Sequence, residues 1–215
     1  MISQEIQRAL APTGTLRAGI NLSNFLLVSG LNADGAPAGV SPDLARRIAG
    51  ILDVPCQFVT FETPGELADA AADDLWDIGN IAHEPDRARL IDFSQPYVLI
   101  DAHFLVRSSS TLQSNNEIDQ KGISIAAFDR SAYDLWLKDN YKSPTYQRVA
   151  SISESAAAFE EGQGDVLACL KPKLMLIKEA QPTYKIIDPP FTAIRQAIGL
   201  NKGHPEALSF INETL

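Results

Sequence analysis

Two cysteines and three histidines among 215 residues leave little from which a metal centre or a disulfide scaffold could be built. Cys56 and Cys169 lie in separate apolar runs, PCQFVTF and DVLACL, and neither has a metal-like spacing to another cysteine or histidine. They read as two buried thiols; a disulfide between them would have to tie distant segments. His83, His103 and His204 share no ligand spacing, so neither a metal site nor a cofactor is expected. Positive charge is scarce as well. Eighteen Lys and Arg face 27 Asp and Glu, and the net charge of −9 repels a phosphate backbone, which argues against a nucleic-acid role. No apolar run reaches the length of a membrane span, so no membrane insertion is expected. The opening segment MISQEIQRALAPTG lacks the apolar core of a secretory signal, and Ile2, Ile6 and Leu10 recur every four residues as on a short amphipathic helix. Localisation is therefore expected to be periplasmic if a signal peptide was removed, and cytoplasmic otherwise.

What is present is a globular composition: 45% hydrophobic and 21% charged residues, enough for one large domain or two small ones. Short apolar runs alternate with amphipathic stretches. TLRAGI (15–20) reads as a buried strand, followed by a polar loop to about Gly39. Ser41-Pro42-Asp43 opens a helix with a serine cap, a proline in the first turn and an acid near the positive end. PCQFVTF is a strand, Pro64 opens a helix, and Asp77 to Ala82 is a third strand. Pro85 starts a helical turn carrying Arg87, DFSQPY reads as irregular, and 97–106 is a long apolar run. After SSSTLQSNNEIDQKG the pattern restarts. GISIAA (122–127), TYQRVA, DVLACL and YKII are strands. Helices open at Ser131, at Ser153 and at Pro172, and a last long run, FTAIRQAIGLN, precedes a helix opening at Pro205.

Strands alternating with helices predict an α/β protein with mostly parallel sheets flanked by crossover helices. The two long runs, 97–106 and 191–200, bracket the second set of elements, as in a chain that leaves one lobe, builds another and returns. The expected division is 1–107 plus 192–215 for lobe 1 and 108–191 for lobe 2, with two hinge crossings near 104–110 and 188–194. Ligands of open α/β sheets sit outside the carboxyl ends of the strands, so two such lobes imply a closable site.

The segment WDIGNIAHEPDRARLIDFSQPY (76–97) resembles the signature of the family 3 extracellular solute-binding proteins of ABC transporters: an aspartate before a strand, a turn, an arginine, then Asp-Phe-Ser-x-Pro-Tyr. LRAGINLSNFLL, GVSPDLARRIAGILDVPCQFVTF, GISIAAFDRSAYDLWL and AIGLNKGHPEAL resemble further parts of the family in the same order, from about Leu16 to Leu208. The resemblance implies the two-lobed type II periplasmic-binding-protein fold, capture of a small polar ligand and an ABC permease as partner. It also implies that Arg87 grips a ligand carboxylate, assisted by a helix start in lobe 2. Upstream of Arg87 the family's hydroxyl residues are replaced by Asn80, Ala82 and His83. Where its amine-binding acid would stand, the chain reads Leu170-Lys171.

The residues have physical cases of their own, each beside a plainer one. The planar fork of Arg87 binds a carboxylate through two parallel hydrogen bonds; otherwise it is a surface arginine paired with Asp86 or Asp92. Ser131, after Asp129 and Arg130, is an N-cap, an anion contact, or both. Asn24 and Phe25 follow the first strand and cover a ligand or fold onto their own lobe. Glu62, Asn80, His83 and Gln196 are further candidates near strand ends. Lys171 is either the solvated start of a helix, where a cation is unfavourable, or a second anion anchor. Trp76, Phe93, Tyr97 and Trp136 are expected in the core.

The leading expectation is a monomeric solute-binding protein that closes on a small anionic ligand, an organic acid or an amino-acid-like molecule, without catalysis. The presence of Leu170-Lys171 where the family's amine-binding acid would stand in lobe 2 favours a ligand lacking an amine, because a buried ammonium needs a counter-charge. The alternatives are a cyclohexadienyl- or arogenate-dehydratase-like enzyme on the same fold, which needs a general acid among Glu62, His83, Asp129 and Lys171, and a detached sensory domain.

Overall fold

The structure, a computed structural model, describes residues 2–215. The chain forms two compact units, one running to Val98 and resuming at Arg195–Leu215, the other comprising Leu99–Ile194. The sequence boundaries fell at 107/108 and 191/192. The difference arises because most of the long run that begins at residue 98 pairs within the second unit.

The first unit contains α1 (Gln4–Leu10), β1 (Leu16–Asn21), the short hairpin β2 (Gly30–Leu31) and β3 (Pro37–Ala38), α2 (Val40–Leu52), β4 (Cys56–Phe61), α3 (Pro64–Asp69) and β5 (Ile78–Ala82). A 3₁₀ turn (Arg87–Arg89) and β6 (Ile91–Phe93) follow, and β7 (Val98–Arg107) leads into the second unit. That unit holds a 3₁₀ turn (Asn115–Glu117), β8 (Ser124–Phe128), α4 (Ala132–Asn140), β9 (Thr145–Val149), α5 (Ile152–Glu160), β10 (Val166–Leu170) and α6 (Lys171–Ala180). Strand β11 (Tyr184–Asn201) contributes its first part to the second unit and its last residues to the first, where α7 (Pro205–Thr214) closes the chain.

In the first unit the strand order is β4-β1-β5-β11. β1 runs parallel to both β4 and β5, β11 runs antiparallel to β5, and β6 also pairs with β11. One face packs Ile20, Ile78 and Ile198 against Ile48 of α2 and Ile211 of α7, and Leu10 of α1 joins the same core. The opposite face is built around Trp76, which is fully buried and donates its indole N–H to the Leu67 carbonyl at 2.9 Å. Gly19, Gly79 and Gly199 stand side by side on β1, β5 and β11. Trp76 lies against the first two, and a Cβ at Gly79 would come within 3.2 Å of its ring. Side-chain-free positions on neighbouring strands are what let so large a ring reach the sheet.

In the second unit the order is β11-β7-β10-β8-β9. β8 is parallel to both β9 and β10, and β7 is antiparallel to β10. Phe104 stacks on Phe191 at 4.3 Å between ring centroids, and Trp136 lies 5.6 Å from Phe191 and 5.9 Å from Tyr141.

Several local expectations are corrected. The first unit's long helix is capped by Gly39, not Ser41. Gly39 has φ +124°, and a Cβ there would meet the Leu27 carbonyl oxygen at 2.6 Å, so only glycine brings the loop against the helix start. Ser151, not Ser153, caps α5, accepting from the Glu154 amide at 3.1 Å. DFSQPY is not wholly irregular, since β6 pairs with β11. YKII and FTAIRQAIGLN are one strand running through Asp188-Pro189-Pro190, because extended prolines are tolerated where the ladder does not call on their missing N–H. Of the four aromatics expected in the core, Trp76 is fully buried, while Phe93, Tyr97 and Trp136 are half-buried.

Candidate functional site

In each unit most candidate residues follow the carboxyl ends of parallel strands, while Asn80 and Gln196 lie within β5 and the antiparallel β11. In the first, Asn24 and Phe25 follow β1, Glu62 follows β4, and His83 to Arg87 follow β5. The Leu22 amide donates to the Phe61 carbonyl at 2.9 Å, which ties the first two loops together. Phe25 is 38% exposed and Glu62 is exposed, with its amide donating to Glu66 Oε2 in the cap of α3.

Arg87 is only 6% exposed, and its Nη1 donates to the Ala82 carbonyl at 3.0 Å. The exposed pair of this turn is instead Arg89 with Asp86, at 3.0 Å. The turn lifts Arg87 inward because β5 ends at Ala82 and the Ala88 amide closes back on the Glu84 carbonyl at 2.9 Å. Glu84 is itself 7% exposed, a buried carboxylate that nothing in the sequence set apart. His83 is exposed and stacks on Phe93 at 4.6 Å. Burial of part of its ring, and then the nearby Arg195 charge, hold its pKa below the ordinary value.

Asn80 and Gln196 are 3% and 7% exposed. Gln196 pairs with Ala82 and Ile198 with Asn80, so both amides project from one face of the β5–β11 ladder. Asn80 Oδ1 accepts from the Tyr97 hydroxyl at 3.4 Å, and that hydroxyl lies 3.4 Å from Ser41 Oγ. Burial raises the Tyr97 pKa, which keeps the phenol neutral. Asn80 Nδ2, Gln196 Oε1 and Asn24 Oδ1 are buried without a hydrogen-bond partner. Tyr97 and Ser41 were read from the sequence as core and cap; their hydroxyls belong to this polar group, and no local pattern announced it.

In the second unit, Arg130 and Ser131 follow β8, and Lys171 follows β10. Ser131 is buried and caps α4, accepting from the Asp134 amide at 3.2 Å. Arg130, exposed, has φ +55°, a conformation costly for a side-chain-bearing residue and characteristic of functional turns. Its amide donates to Asp134 Oδ2 at 3.0 Å. Asp134 also accepts from Arg148 Nε at 2.8 Å, yet burial outweighs that pairing and raises its pKa. Lys171 Nζ lies 3.8 Å from Asp188 Oδ1. The start of α6 therefore carries a cation with an anion beside it. His103, fully buried, places Nδ1 2.9 Å from the Ile187 carbonyl and 3.4 Å from the same Asp188 oxygen. Among the described residues no group of three or more His, Cys, Asp or Glu is placed to hold a metal ion, and no helix is long and apolar enough to cross a membrane.

The family profile of the bacterial extracellular solute-binding proteins, family 3, matches residues 17–215. The chain belongs to that family. Among its relatives, the glutamine-binding protein of Geobacillus stearothermophilus is 22% identical over 170 residues, which cover 79% of this chain and 64% of that protein. The chain thus spans less than two thirds of the curated relative it matches. Solved structures share the fold. The arginine-bound form of truncated ArgBP from T. maritima superposes with a TM-score of 0.74 at 20% identity, covering 99% of this chain and 98% of that one. The substrate-binding protein AbpA of an amino acid ABC transporter from Streptococcus pneumoniae, bound to L-arginine, gives 0.75 at 22%, covering 96% and 90%. An ancestral amino acid-binding protein described as a precursor of cyclohexadienyl dehydratase gives 0.75 at 21%, covering 97% and 91%. The architecture is the type II periplasmic-binding fold of this family, as the signature at 76–97 implied.

Proposed function

We propose that this protein is the solute receptor of an ABC-type uptake system, acting outside the cytoplasmic membrane and handing a small carboxylate-bearing solute to a permease. The observation that carries the proposal is the buried guanidinium of Arg87 at the carboxyl end of β5, one arm fixed by the Ala82 carbonyl. A carboxylate docked on such a fork gains a charge-assisted, geometrically specific contact. The family and the ligands named for its relatives, glutamine and arginine, support α-amino acids as the first solute class. An amine-free organic acid is the second reading, favoured by Leu170-Lys171 standing where the family's amine-binding acid is expected.

Calorimetric titration of amino acids and mono- and dicarboxylates tests the proposal. Arg87→Ala is expected to weaken binding about 30- to 5,000-fold, from about 2–5 kcal/mol for truncating one partner of a desolvated charge pair. Unchanged affinity in that variant removes Arg87 from the site. Closure on the solute, the expectation from the two chain crossings, is part of the proposal; it is read in the same titration as a fall in the radius of gyration by small-angle scattering.

A further inference from the structure

Asn80 Nδ2 is a donor without a partner and Gln196 Oε1 an acceptor without a partner, both buried. They stand on one face of the same ladder, one step apart along it, yet they do not bond to each other. The Tyr97 hydroxyl donates to Asn80 Oδ1, which leaves Nδ2 as the open atom of that amide. Leaving such groups unpaired is costly, and evolution rarely keeps two on one face without a use for them. The group that satisfies both must offer an acceptor to Asn80 and a donor to Gln196. A carboxamide does so with its own C=O and N–H. A carboxylate has no donor for Gln196, and an ammonium has no acceptor for Asn80.

We propose that Asn80 and Gln196 form a neutral subsite in the first unit that selects solutes ending in an uncharged group able both to donate and to accept, a carboxamide being the simplest, over solutes charged at that end. The inference rests on the carboxylate-binding reading of Arg87. It is consistent with where Arg87 is anchored, because the Ala82 carbonyl that holds its Nη1 belongs to the residue paired with Gln196. The solute's carboxylate and its neutral end are thus read from one stretch of β5 and β11. The hydroxyls of Ser41 and Tyr97 extend the subsite without adding charge. A charged end would be desolvated against dipoles alone, which is the basis for rejecting it.

The test is a set of matched pairs, glutamine against glutamate and succinamate against succinate, titrated into the whole protein by calorimetry. In the pair that binds, the amide is expected to be preferred about ten- to hundred-fold. Gln196→Met and Asn80→Leu, chosen to keep volume and checked for folding by thermal melting, are expected to shrink that preference below about three-fold, chiefly by weakening the amide. Arg87→Ala should weaken both members of a pair alike. Equal affinity within each pair overturns the subsite and leaves the Arg87 reading standing. So does an equal loss for both members in the Asn80 and Gln196 variants, or a bound-state crystal structure in which a water alone bridges the two amides. If no carboxylate in the panel binds, the parent reading falls and the subsite with it.

Discussion

Gly19→Ala places a methyl group 2.5 Å from Leu67 Cδ1 and 3.1 Å from two atoms of the Trp76 ring. The backbone at Gly19 is ordinary extended strand, so the effect is steric alone. Leu67 and Trp76 are both fully buried, and the indole N–H is tied to the Leu67 carbonyl, so the two neighbours cannot retreat independently. Overpacking of this kind costs about 1–3 kcal/mol. Alanine returns about 0.4–1 kcal/mol by restricting the unfolded chain. The expected net loss is about 1–2 kcal/mol, or a melting point lower by about 2–8 °C for a chain of this size. Gly50→Ala in α2 is the control: nothing lies within 4 Å of its Cβ, and removing a helix-interior glycine should stabilise by about 0.5–1 kcal/mol. Urea unfolding followed by tryptophan fluorescence measures both. Leu67→Ala should cost less in the Gly19→Ala background than in the parent, giving a favourable coupling in the double-mutant cycle. If Gly19→Ala is as stable as the parent while Gly50→Ala behaves as stated, the tryptophan does not sit on a floor that only glycine can provide.

The buried Asp77 accepts the Arg17 amide at 2.7 Å and the Arg17 guanidinium at 2.6 Å, so Asp77→Ala should cost about 2–4 kcal/mol in denaturant unfolding, and a loss under about 0.5 kcal/mol would refute the role given to this pair. Cys169 is fully buried and its thiol is pushed up to about 11 by burial. It should react with Ellman's reagent at pH 8 only on unfolding, and prompt native-state labelling of Cys169 in a Cys56→Ser background would contradict its placement. Because the folded value lies above the unfolded one, the stability contributed by the protonated thiol is complete below the unfolded thiol value and is lost as pH rises through about 11. Cys169→Ala should therefore flatten the alkaline limb of the stability profile.

Element order and the parallel arrangement were legible because hydrophobic period and turn residues report on local backbone, and the 76–97 motif placed Arg87 correctly at the end of β5. What was not legible depended on distant parts of the chain. Ser41 has every local mark of a cap, yet the helix begins earlier because Gly39 lets the loop close onto Leu27. Asp188 stands before two prolines with no local mark of a partner, and only the fold sets its carboxylate against Lys171. Glu84 has the composition of a surface acid, and the closing of the turn onto Ala88 buries it. Tyr97 read as core from its ring, while its hydroxyl donates to Asn80. A one-dimensional pattern gives the direction of a backbone segment; it does not give the partner of a polar atom.

The division of β11 between the units fixes an order of assembly during synthesis. The second unit is a single contiguous stretch, Leu99–Ile194, and is complete as soon as that stretch has left the ribosome. The first unit begins earlier and finishes last. Until residues 195–215 emerge, β5 has an open edge, and the core lacks Ile198, Leu200 and Ile211. The N-terminal segment must wait, its sheet unfinished, while the middle of the chain folds. A nascent chain that has emerged only as far as Ile194 would carry a complete second-unit sequence while the first unit still lacks its fourth strand.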